Sequence, residues 1–261
     1  MHSHVQAAGT SFEVIVTLLL ISMIFLYLLA AISTNRKYKK WPVYRFVFWI
    51  VGVFSVGIAM VGPLAEFAHI NFKGHMITHL LLGMLAPLLL LLATPMALLL
   101  RTLKVSTARK LTRVLKSRLL HFFTNPLTAT ALNIGGLYIL YTTDLYMLMH
   151  QSLVLYRLIH LHVFLAGYLF TLSIIYVDVT PRRYSYMYRA VVLILALAGH
   201  KILSKYIYAN PPKGVPRTDA EAGSMLMYYG GDIIELALII LFCYQWYKST
   251  APRFTNPLYR T

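Results

Sequence analysis

The chain is laid out as a series of apolar stretches, each near the length a helix needs to cross a lipid bilayer. Such a helix takes about 20 mostly apolar residues. Seven segments approach that: 12–33, 45–64, 76–100, 127–143, 154–177, 188–207 and 224–247. The fourth is the weakest by length and carries Asn133 and the pair Gly135-Gly136. Of the 261 residues 59% are hydrophobic and only 12% charged, too little polar surface to coat a soluble domain of this size. The sequence predicts an all-α fold: a single polytopic membrane bundle of seven transmembrane helices covering 1–261. Pro63, Pro87 and Pro95 fall in or beside spans, where neighbouring helices can satisfy the freed carbonyls.

Charge placement sets the expected orientation. The formal net charge is +16, which in a soluble protein would suggest nucleic acid. Here the basic residues segregate. Arg36, Lys37, Lys39, Lys40 and Arg45 lie about the first loop, and Arg182, Arg183 and Arg189 about the fifth. The third loop, 101–126, holds Arg101, Lys104, Arg109, Lys110, Arg113, Lys116 and Arg118; Lys248, Arg253 and Arg260 mark the tail. Of 24 basic residues only Lys73, Arg157, Lys201, Lys205, Lys213 and Arg217 fall on the other side. By the positive-inside rule the N-terminus is outside and the C-terminus cytoplasmic, in a bacterial cell membrane. The leading segment lacks Lys and Arg, so the first span reads as a retained helix rather than a cleaved signal. Loop three has apolar residues at helical spacing among its charges, as expected of an amphipathic helix held on anionic lipid rather than nucleic acid.

Histidines go the opposite way. His2, His4, His69, His75, His79, His150, His160, His162 and His200 map to the outer side or outer half of a span; only His121 is cytoplasmic. His75 and His79, in HMITH, are four apart on one helix face, a workable spacing for two imidazoles on one metal. The bland alternative is a pair of hydrogen-bonded interfacial histidines. His160 and His162 are two apart and cannot easily face one site, so one of them points into the bundle. His200, Asp232 and Glu235 lie within spans, where an ionisable side chain is costly without a partner. Asp232 could ligate, orient a ligating histidine or neutralise His200 or Lys201. Met225 and Met227 add thioethers on the same side, and the single cysteine, Cys243, allows no paired thiolates. Imidazole with thioether suits copper, Cu(I) above Cu(II). The expected metal ligands are His75, His79, His160 or His162, His200 and Asp232. Glu235, Met225, Met227, His69 and His150 are second-tier or transfer candidates. No GxSxG, Walker loop or HExxH is present, and a non-enzymatic role is expected.

Two patches carry a family resemblance: HMITHLLLGMLAPLLLLLATPMALLLR at 75–101 and HLHVFLAGYLFTLSIIYVDVTPRR at 160–183. With the sixth-span histidine and the MYYGGD start of the seventh span, they resemble the CtaG family of cytochrome c oxidase assembly factors. At the last helix this chain departs from some relatives, with Tyr228 and Tyr229 near its acidic residue. The resemblance implies maturation of a haem-copper oxidase: copper is taken up outside, from an extracytoplasmic donor protein, and passed to the CuB centre of the catalytic subunit. It also implies that His75, His79, His162 or His160, His200 and Asp232 are the copper positions. Because neutral imidazole binds the metal, affinity should fall below about pH 6.5. The rival readings are a copper permease, which the apolar inner halves of the spans disfavour, and a bis-histidine b-type haem protein.

Overall fold

A computed structural model describes residues 2–180 and 182–251, with side chains from residue 12 onward. His2 and His4, placed above on the outer side, lie outside the described side chains, as do Pro181, Arg253 and Arg260. The described chain is all helical, in the order α1 (His2–Asn35), α2 (Val43–Met60), α3 (Pro63–Ile70), α4 (Phe72–His79), α5 (Ala86–Leu92), α6 (Pro95–Thr102) and α7 (Val105–Leu115). There follow α8 (Arg118–Phe123), α9 (Pro126–Thr130), α10 (Gly136–Thr142), α11 (Leu145–Gln151), α12 (Leu153–Ile174), α13 (Tyr186–Ala209) and α14 (Arg217–Thr250). Six stretches are long and apolar enough to cross a membrane: Phe12–Asn35, Val43–Met60, Phe72–Leu92, Leu153–Ile174, Tyr186–Ala209 and Arg217–Thr250. The stretch expected as a fourth span is shorter than these. It is the run α9–α10, joined through a π-helical turn at Ala131–Gly135.

Local sequence explains where the helices break. Proline opens α3, α6 and α9, at the position where a missing N–H costs nothing. Gly62, with φ of 83°, makes the turn before α3. The Asn71 side chain accepts from the Lys73 N–H at 2.8 Å and so caps α4, the helix that carries His75 and His79.

The axis of the molecule is α4–α5, joined by a π turn at Leu80–Leu85. Two-thirds of this span (67%) is buried, against 11% for Phe12–Asn35, so the other helices wrap around it. Pro87 cannot donate to the carbonyl of Gly83, and its ring would crowd that oxygen in a regular α-helix. The π turn relieves the conflict, and α12 closes over the bared carbonyl. A Cβ on Gly167 of α12 would sit 2.0 Å from the Gly83 oxygen, so only glycine permits this approach. Gly83, Pro87 and Gly167 thus form one construction that sets the spacing of the central helix and α12.

The two ends of the bundle differ. One end carries the basic loops, the amphipathic α7 and α8 (neither with a buried residue), and among acidic residues only Asp178. Asp178 accepts the N–H groups of Met96 and Ala97, each at 2.8 Å, at the start of α6. Burial raises its pKa from the ordinary carboxylate value against these bonds. The interior nearest that end is mostly apolar, built from Leu88, Leu91, Phe170, Ile174, Leu193 and Phe242, with the guanidinium of Arg189 buried against Tyr176, Tyr186 and Phe242. The opposite end carries the histidines.

A row of histidines as a candidate metal centre

Six imidazoles from five helices form a row from the exposed rim to the middle of the bundle. His69 on α3 stacks on His150 of α11 with ring centres 5.5 Å apart. His150 lies 6.5 Å from His75 of α4, and His75 lies 5.6 Å from His160 of α12. One turn further along α4, His79 lies 6.1 Å from His200 of α13. His69 is exposed and His150 half-buried. His75, His79, His160 and His200 are each no more than 6% exposed. A polar imidazole at such depth is costly, so four buried together need an explanation.

The row fits metal ligation pair by pair. Two imidazoles sharing an ion about 2.0–2.1 Å from each nitrogen have ring centres roughly 5–6.4 Å apart. His79–His200, His75–His160 and His69–His150 satisfy that spacing. Among the described residues no three His, Cys, Asp or Glu side chains are gathered about one point. The arrangement is therefore a succession of pairs rather than the single five-ligand pocket expected from sequence.

Hydrogen bonding leaves the right atoms bare. Nδ1 of His160 faces the Tyr156 carbonyl at 2.8 Å, and Nδ1 of His150 faces the Tyr146 carbonyl at 2.9 Å. A carbonyl only accepts, so both Nδ1 atoms carry the proton and both Nε2 atoms keep a lone pair. His75 uses Nε2 on the Tyr141 hydroxyl at 2.9 Å, and its Nδ1 has no partner. Both ring nitrogens of His79 lack a hydrogen bond. So do both of His200, although Glu235 Oε1 lies 2.7 Å from His200 Nδ1: the carboxylate is close but out of line with the ring N–H. A cavity of about 40 Å³, lined by His79, His200, Glu235, Met84 and Asn133 among others, adjoins this pair. That is room for an ion or a water. Gly231 clears the space: a Cβ there would lie 2.8 Å from His200 Cε1.

The expected ligands divide. His75, His79, His160 and His200 are brought into the row. His162 is not: it is exposed, and its Nε2 donates to the Leu132 carbonyl at 3.2 Å, over the space left by Gly136. Asp232 is not either. It is paired with Lys201, whose Nζ also reaches Glu235 Oε2 at 3.5 Å. The acidic partner of His200 is Glu235, one helical turn further along α14, which the sequence placed only in the second tier. Met227 is buried with Met76 and Met149 in one apolar cluster, whereas Met225 is half exposed and lines a surface pocket with Tyr229. Met227 packs there as methionine commonly does in a core. His69 and His150, also second-tier by sequence, continue the row outward. Burial, and then the neighbouring His150, lower the His69 pKa from its ordinary value and favour the neutral, ligating imidazole.

Comparison with known proteins places the chain. Residues 25–249 match the model of the cytochrome c oxidase caa3 assembly factor family, Caa3_CtaG. Proteins described as uncharacterized from Mycobacterium bovis and Mycobacterium tuberculosis are 29% identical over 179 residues, 64% of this chain and 26% of theirs. One from Mycobacterium leprae is 29% identical over 185 residues, 67% of this chain and 28% of its own length. The chain thus spans little more than a quarter of these curated relatives. No solved structure matches it. The chain belongs to the cytochrome c oxidase caa3 assembly factor family.

Proposed function

From that membership we propose that this chain is a copper-handling factor in oxidase assembly. It holds Cu(I) on buried imidazoles and releases it to the copper-bearing catalytic subunit of a haem-copper oxidase, at its CuB centre. The observation that carries the reading is the buried pair His79–His200, with four ring nitrogens free of hydrogen bonds. Glu235 lies alongside as counter-charge, and His75–His160 forms the next pair outward. Cu(I) accepts as few as a pair of nitrogen ligands, unlike four-coordinate structural zinc. Copper is cargo here. It moves by ligand exchange, with no change of oxidation state in the protein.

In this reading the run α9–α10 completes a seven-helix bundle with the N-terminus and the histidine end outside the cell and the basic loops in the cytoplasm. The apolar packing beyond His200 supports storage and hand-over rather than permeation, since a permease needs polar groups through both halves. Metal analysis of the purified protein tests the proposal. The unaltered chain should retain Cu(I), and His79→Gln/His200→Gln should lose the most tightly held equivalent. Equal copper in both proteins would sink it.

A further inference from the structure

The histidine row extends outward past the buried pairs, and its outermost member, His69, lines a cavity. That cavity, about 340 Å³, is lined by His69, His160, Glu13, Glu66, Tyr156 and Arg157 among others. We propose that His69 and His150 form a second, outer copper site, the loading station through which Cu(I) reaches His75–His160 and then His79–His200. This inference rests on the reading of the buried pairs as copper ligands.

Three features carry it. The rings of His69 and His150 are spaced as a shared ion requires, at 5.5 Å between centres. Tyr146 fixes the His150 tautomer by the same backbone bond that Tyr156 makes to His160, leaving Nε2 bare in both. The steps inward, 6.5 Å from His150 to His75 and 5.6 Å from His75 to His160, are short enough for one imidazole to bind before the last lets go. Exposure falls along the same path, from exposed His69 through half-buried His150 to the buried rungs. Glu13 and Glu66, set against the single cation Arg157, leave the lining with net negative charge where a cation arrives.

The test uses the full-length protein in lipid nanodiscs, loaded anaerobically with Cu(I) from a chelate. The variant His69→Gln/His150→Gln should hold about one copper fewer per chain and fill the buried site about tenfold more slowly. His79→Gln/His200→Gln should keep the outer copper and lose the inner one. His69→Gln alone, at an exposed position the packing does not depend on, should slow filling in the same way if the double variant folds poorly. Loading of both outer variants at the unaltered rate and stoichiometry would overturn the loading station while leaving the buried pair standing. Unchanged copper in the His79/His200 variant would instead defeat the reading on which it rests.

Discussion

The two ends of the histidine row are built from the same side chain and behave differently. At the rim, His69 and His150 stand in partial contact with water, with a backbone carbonyl fixing one ring. In the interior, His79 and His200 have no hydrogen bond on any ring nitrogen and a carboxylate beside one of them. Water can satisfy the first pair when no ion is present. Among the described residues only Glu235 approaches the second, at His200 Nδ1, and the other three ring nitrogens have no partner. The buried pair therefore gains more from a bound cation, because without one it bears the full cost of unpaired polar groups in an apolar medium. The difference teaches that affinity along the row is graded by burial, with the same ligand chemistry at each step.

Substitutions break or sharpen that contrast. The largest effect is expected from Gly167→Ala, which should remove both stations together. Its Cβ would press on the Gly83 backbone oxygen, which no side-chain rotation can relieve. We expect destabilisation of about 3 kcal/mol or more, read as loss of a cooperative melt in detergent and of copper at every rung. A normal melt would mean that α12 can shift without cost.

Glu235→Gln separates the two ends. It removes the counter-charge from His200 and leaves the rim untouched, so affinity at the buried pair should fall about 10–100-fold while the outer copper stays. Competition with a Cu(I) chelator measures both. Equal weakening of both ends would show that Glu235 acts on the whole bundle and not on His200. The smallest effect is expected at His162→Ala. That side chain makes one exposed bond to a carbonyl, so stability should change by no more than about 1 kcal/mol and copper content not at all. Loss of copper there would put His162 back among the ligands.

Much of this was legible in the residues themselves. Apolar length predicted the membrane helices, and the opposed distributions of Lys/Arg and His marked the end where a site would lie. The HxxxH spacing placed His75 and His79 on one face, because the 3.6-residue period of a helix is a local property. The choice between His160 and His162 was not legible, and neither was that between Asp232 and Glu235. Each depends on how a helix is rotated against its neighbours, and only packing sets that rotation: Gly167 against Gly83 for α12, and Gly231 against His200 for α14. The fourth apolar stretch has the hydropathy of a span, but its helical run from Pro126 to Thr142 is shorter than the other long helices. His69 and His150 belong to separate short helices joined to nothing nearby in sequence, so their stacking could appear only once the chain had folded. The sequence by itself determined a helical membrane chain with its imidazoles at one end, because length, hydropathy and charge act residue by residue. Which imidazoles meet was decided by the tertiary structure, because contact depends on helix rotation and on close approaches that glycine alone permits.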